Sequence, residues 1–140
     1  NFLLTILKLI KNQKEIKVVS DQIGSPTSTY TLAEVVYKII ADNYLNDKPL
    51  EPYLHCCDDG QTSWFEIAFI INSLSREIGL IQKSPEIIPI KSSLYKSIAS
   101  RPKYSVLSNK IIKEKLNYKT QNWEIRIREV LIQIFNNNIL

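Results

Sequence analysis

The 140-residue chain has no methionine, three glycines, one histidine and two cysteines, and each scarcity closes off some chemistry. A chain that opens on asparagine and lacks methionine throughout reads as a piece of a longer translation product. Gly24, Gly60 and Gly79 stand too far apart to build the glycine-rich turn that lets a dinucleotide pyrophosphate approach a helix N-terminus. Cys56 and Cys57 are adjacent; in an extended segment they point to opposite faces, and a bridge between them would be strained. His55 beside them lacks a second ligand cluster at finger-like spacing, so no metal is assigned. Unpaired cysteines suit a reducing cytoplasm.

Long apolar runs are scarce too. The opening, Asn1 to Ile10, is short, is broken by Lys8, and carries neither a basic leader nor a small-residue cleavage site, so no membrane role follows. What is present is ordinary globular composition: 44% hydrophobic and 23% charged residues, enough for one unit with a core over 1–140. The formal charge of +4 suits an anionic ligand. Its lysines are scattered along helix faces without interleaved aromatics, which argues against nucleic acid.

The apolar pattern predicts an α/β chain. Leu3, Ile6, Leu7 and Ile10 have helical spacing, and Phe2 and Leu9 widen the stripe towards burial on two sides, a helix that wants partners from outside the chain. Glu15 to Ser20 reads as a strand, followed by a polar turn and a helix ending near Tyr44. Thr31 and Glu34 suggest its capping box, and Leu32, Val35, Val36, Ile39 and Ile40 its inner face. Pro52 to Cys57 then reads as a second strand. A helix opened by Ser63 and Glu66 follows, closed by Gly79 as a left-handed cap. Two strand–helix units in succession argue for parallel strands, and Pro89 puts the strand Ile87 to Lys91 at an edge. Helices at Asn109 to Leu116 and Trp123 to Phe135 finish the chain. The last turns Trp123, Ile127, Val130, Leu131 and Ile134 to one side and directs Arg126 and Arg128 elsewhere.

Everything centres on the turn DQIGSPTS at 21–28, which opens at a strand's carboxyl end, where open α/β sheets place ligands. Together with NFLLTILKL at the start, GQTSW at 60–64 and SRPKYSVLSNKIIKEKL at 100–116, it resembles the dTDP-4-dehydrorhamnose reductases. These RmlD-like proteins belong to the extended short-chain dehydrogenase/reductase superfamily. The resemblance covers nearly the whole chain but only the carboxyl-terminal half of such an enzyme. It implies the C-terminal part of a Rossmann-like fold, with few short, mostly parallel strands and about five helices. The dinucleotide-binding half would precede residue 1.

By the same resemblance, the whole enzyme moves hydride from NADPH or NADH to the C4 carbonyl of dTDP-6-deoxy-L-lyxo-4-hexulose, giving dTDP-L-rhamnose for cell-surface polysaccharide. Its proton-donating tyrosine and the lysine four residues on would lie upstream. Tyr44 and Lys48 match that spacing, but a chain this rich in both residues produces one such pair by chance. No catalytic, cofactor-binding or metal residue is therefore assigned.

Substrate-side candidates are Asn1 and Phe2, which match the family's NF beside the sugar-nucleotide cleft, and Gln22, Gly24, Pro26 and Thr27 of the DQxGxPT turn. That turn's amides and hydroxyls suit phosphate or sugar oxygens. Arg101, fixed ahead of Pro102, offers a fork of donors to a diphosphate; a surface salt bridge is its plain alternative. For Trp64, packing outweighs substrate stacking. The expected partners are a dTDP-sugar and the missing half, with a homodimer allowed. Alone, the chain should neither bind NADPH nor turn over, and its first helix should expose an apolar patch that favours self-association. Two other readings fit the same residues: a non-catalytic regulatory subunit like that of methionine adenosyltransferase, and a free-standing sugar-nucleotide-binding module.

Overall fold

A computed structural model describes residues 1–46, 53–97 and 99–139. The opening stripe forms helix α1 (Phe2–Asn12), started by Asn1, whose Oδ1 accepts the Leu4 N–H at 3.0 Å. Strand β1 (Glu15–Val19) follows; three of its five side chains, Ile16, Val18 and Val19, are buried. It pairs in parallel with β4 (Glu86–Ile90), with Glu15 opposite Glu86 and Val18 opposite Pro89. Between them lies α3 (Trp64–Glu77), whose Ser63 Oγ accepts the Glu66 N–H at 3.1 Å while Glu66 Oε2 accepts the Ser63 N–H at 2.7 Å. That is the expected capping box. Gly79, at φ 76°, turns the chain out of the helix as a left-handed cap.

Helix α5 (Trp123–Asn136) packs its Trp123–Ile127–Leu131–Ile134 face on α3, and α1 packs on α3 beside it. The main core is formed here, from Ile6, Leu7, Ile16, Ile71 and Leu131 among others. The second side of α1 does not stand bare as expected: Phe2, Leu3, Leu4 and Leu9 are half-buried against this core.

Two elements depart from expectation for one reason. The expected strand at 52–57 does not form over its described part, Tyr53 to Cys57, and Pro52 lies outside the described residues. A strand needs a neighbouring ladder, and here backbone groups are satisfied singly. The Asn109 amide donates to the Cys57 carbonyl at 2.7 Å and accepts the Cys57 N–H at 2.9 Å. The Asp58 N–H goes to the Pro26 carbonyl and the Asp59 N–H to that of Gln121.

Helix α2 (Thr29–Asn46) starts two residues before Thr31, so Thr31 caps nothing. Ser28 Oγ takes the Tyr30 N–H, and Thr31 is fully buried with its hydroxyl donating to Asp58 Oδ1 at 2.5 Å. That anchor turns Thr31 and Val35 inward. Leu32, Val36 and Ile40, expected inside, are left 42%, 52% and 52% exposed. The apolar patch therefore lies on α2 rather than on α1. Val35 packs instead on α4 (Lys110–Lys115) and Leu116, in a second, smaller cluster with Ile112.

Three two-residue strands complete the fold. The strand β2 (Ile23–Gly24) runs antiparallel to β3 (Thr62–Ser63) and parallel to β5 (Tyr104–Ser105). With five α-helices and mostly parallel strands among the described residues, the α/β expectation stands. No described helix is long and apolar enough to cross a membrane.

Candidate functional site

The carboxyl end of β1 feeds the 21–28 turn, and both ends of that turn are tied down. Asp21 receives the Ser92 N–H at 2.7 Å and the Ser92 hydroxyl at 3.0 Å, which latches the end of β1 to the segment after β4. Partial burial works against the charge on Asp21, but these two bonds outweigh it and hold its carboxyl below the ordinary value. Downstream, Asp58 reaches across from another loop and accepts the Ser28 N–H at 2.7 Å as well as the Thr31 hydroxyl. A carboxylate remote in sequence thus serves the first turn of α2, where the helix dipole favours negative charge.

Between the turn, the start of α1 and the first turns of α3 and α5 lies a cavity of about 420 Å³. Asn1, Phe2, Pro26 and Thr27 all line it, so residues from two distant stretches meet in one place. Asn1 both caps α1 and contributes to the wall. Ser28, Thr29 and Asp58 form the polar side; Ile67, Trp123, Ile127 and Val130 form the apolar one. Trp64 adds a flat aromatic surface that tilts against Phe2, with ring centroids 4.8 Å apart. Arg101 is exposed and lies over the Trp64 ring, its guanidinium carbon 5.8 Å from the centroid. No carboxylate among the described residues forms an ion pair with it.

Gln22 and Gly24 stand apart from the cavity wall. Gly24 sits in β2, where an added Cβ would come within 3.1 Å of Ser105 Oγ, so its small size allows β5 to approach. The Ile23 N–H donates to the Lys103 carbonyl at 2.8 Å, which fixes the chain two residues beyond Arg101. Gly24 therefore belongs to the tether that places the Arg101 loop, and Gln22 precedes it by two residues.

Three comparisons bear on this arrangement. The RmlD substrate binding domain matches over residues 1–135. The chain belongs to that family. It is 37% identical over 131 residues to a spore coat polysaccharide biosynthesis protein, SpsK, of Bacillus subtilis, covering 94% of this chain and 41% of that protein. It is 32% identical to a dTDP-4-dehydrorhamnose reductase of Burkholderia thailandensis, covering 95% and 48%. Among solved structures, a dTDP-4-dehydrorhamnose reductase from Clostridium acetobutylicum superposes with a TM-score of 0.81 at 33% identity, covering 97% of this chain and 44% of that one. One from Bacillus anthracis, solved in complex with NADP, gives 0.78 at 31%, covering 95% and 43%. The chain thus spans less than half the length of these relatives.

In this RmlD substrate binding domain the sequence reading missed Arg126, Asp58 and the cavity-lining role of Trp64. Arg126 was expected to point away from the core face, yet it lines the cavity one turn before Val130. Its side chain is only 12% exposed, and it bonds Glu34 and Glu129 at 3.0 Å each. Burial alone would lower its pKa, but the two carboxylates hold it charged. The i, i+4 spacing of Arg126 and Val130 was the available signal. Arg128 does lie on the outside, paired with Glu77 of α3.

The domain has a second hollow, of about 600 Å³, on the other side of the Ser25–Asp58 wall. Its charges are already matched: Lys113 Nζ bonds Asp59 Oδ1 at 2.7 Å, and Asn109 adds a bond at 3.3 Å. Although burial opposes it, these bonds keep the Asp59 carboxyl below its ordinary value. Cys57, at its base, is free and buried, and burial pushes the thiols of both Cys57 and Cys56 up. No group of three or more histidine, cysteine, aspartate or glutamate side chains gathers for a metal among the described residues. Tyr44 lies in the last turn of α2, and Lys48 lies outside the described residues.

Proposed function

We propose that the chain is the sugar-nucleotide-binding portion of an NAD(P)H-dependent dTDP-4-dehydrorhamnose reductase acting in dTDP-L-rhamnose formation. One observation carries the reading: Asn1, Phe2, Pro26 and Thr27 wall a single cavity, and Arg101, free of any carboxylate partner among the described residues, lies against its Trp64. Hydroxyls and amides of the 25–29 turn suit sugar oxygens. The guanidinium fork suits a diphosphate. Such a site supplies orientation, which alone is worth several powers of ten in rate.

The residues present do not fit a nicotinamide dinucleotide. Gly24 lies in a strand, Gly60 in a turn against Trp123, and Gly79 at a helix end, three separate devices with no phosphate cradle among them. The reading therefore places NADPH or NADH, with the proton-donating tyrosine, on a dinucleotide-binding half outside these 140 residues. The two-stranded parallel sheet of β1 and β4 supports that division, because all-parallel sheets occur almost only as larger, doubly covered layers. On this reading the protein works in the cytoplasm without nucleic acid or membrane, and a homodimer is compatible with it.

Calorimetric titration of the 140-residue chain with dTDP tests the assignment. Saturable binding is expected, weakened about ten-fold or more in Arg101→Ala with an unchanged melting temperature. NADPH should give no saturable isotherm. Absence of dTDP binding, or tight NADPH binding, would overturn the reading.

A further inference from the structure

Trp64 touches residues from two other parts of the chain: Phe2 tilts against its ring at 57°, and Arg101 lies over its face. Trp64 and Phe2 line the cavity, whereas Arg101 stands outside its lining and lies over Trp64. That difference matters for a long, exposed side chain. Pro102 restrains the backbone at Arg101 but leaves its side-chain rotamers free, and a flexible side chain loses entropy whenever a ligand orders it. An indole face attracts a guanidinium through the ring quadrupole, more strongly than a phenyl ring does, and leaves the planar N–H fork open along its edges. The Ser63–Glu66 capping box fixes where α3 begins, and so where the Trp64 ring stands.

We propose that Trp64 is the positioning residue for Arg101: its indole face holds the guanidinium beside the cavity, where the fork takes the diphosphate of a nucleoside diphosphate whose remainder occupies the cavity. This rests on the sugar-nucleotide reading above and adds a residue to it. Trp64 acts through Arg101, so its contribution to affinity disappears when Arg101 is absent. A Trp64 that only packs would contribute equally with or without Arg101.

A double-mutant cycle on the 140-residue chain separates these cases, with dTDP as the titrant and the melting temperature recorded for every variant. Trp64→Leu is expected to weaken dTDP binding about three- to ten-fold, and Trp64→Phe, which keeps a weaker ring face, about two-fold. In the Arg101→Ala background both substitutions should leave affinity unchanged. Trp64→Phe keeps the proposal testable should Trp64→Leu fail to fold. Equal losses in the two backgrounds, or no loss in either, overturn the role of Trp64 while leaving the cavity assignment intact. A wild-type chain that does not bind dTDP overturns both.

Discussion

The two apolar clusters of this domain are held together by different means. The larger one joins α1, β1, α3 and α5 through aliphatic side chains such as Leu7, Ile71 and Leu131, all fully buried. The smaller one has three buried members, Val35, Ile112 and Leu116, and cannot hold α2 and α4 on area alone. It depends on a polar lattice instead: Asp58 to Ser28 and Thr31, Asn109 to Cys57, Lys113 to Asp59, and Glu34 to Tyr118 and Arg126. The Tyr30 hydroxyl adds a bond to Gln133 of α5. The cavity lies between these regions, with an apolar wall from one and a polar wall from the other. Nonpolar burial gives a rigid platform, and the polar lattice sets the direction of the groups a ligand would meet.

The sharpest way to break that contrast is in the large core. Ile71→Ala should cost about 3–4 kcal/mol and lower the urea midpoint of the whole chain in one transition. Asp58→Ala should cost less, about 2–3 kcal/mol, because it strands the Ser28 N–H and the Thr31 hydroxyl without adding a large void. Its effect should be regional, with hydrogen exchange rising in α2 and α4 well before α1 and α3. Uniform acceleration across all helices would show that the two clusters form one cooperative unit.

The smallest effect concerns pH. The Ser63 N–H and then the Thr62 hydroxyl hold the Glu66 carboxyl below its ordinary value of about 4.3. A folded pKa below the unfolded one stabilises the chain above pH ~4.3, and the gain is lost as pH falls through the folded value. Glu66 is exposed, so the contribution is on the order of 0.5 kcal/mol. Glu66→Gln should therefore lose less stability than wild type between pH 6 and pH 3. Parallel titration curves for the two proteins would remove Glu66 from the account.

The same contrast explains what could be read in advance. Periodicity located α1 and α5 and their buried faces, because those faces are decided by apolar area, which the spacing of residues records. Of the candidates picked out in the sequence, Asn1, Phe2, Pro26 and Thr27 line one cavity, whereas Gln22 and Gly24 of the same turn do not. Where polar groups decide, sequence reading went astray. Thr31 looked like a local cap and is bound by a carboxylate 27 positions away. The segment 53–57 looked like a strand, and Asn109, 52 positions beyond Cys57, supplies the bonds a neighbouring strand would have made. Arg126 is off the apolar face by its spacing and is held in the wall by Glu34 of another helix. Long-range hydrogen bonds leave no period in a sequence.

The latch between Asp21 and Ser92 closes a loop of 71 positions, and every pair of the β1–β4 ladder is comparably remote. A strand waiting for so distant a partner sets a kinetic problem rather than a thermodynamic one. Loop closure must precede any reward, so parallel pairing across this distance is expected to be the late and slow event in folding. During synthesis β1 leaves the ribosome before β4 exists, so the edge that β4 will occupy waits for its partner. Until then, α1 and α3 are the elements available to close over Ile16 and Val18, the side chains that the finished core buries.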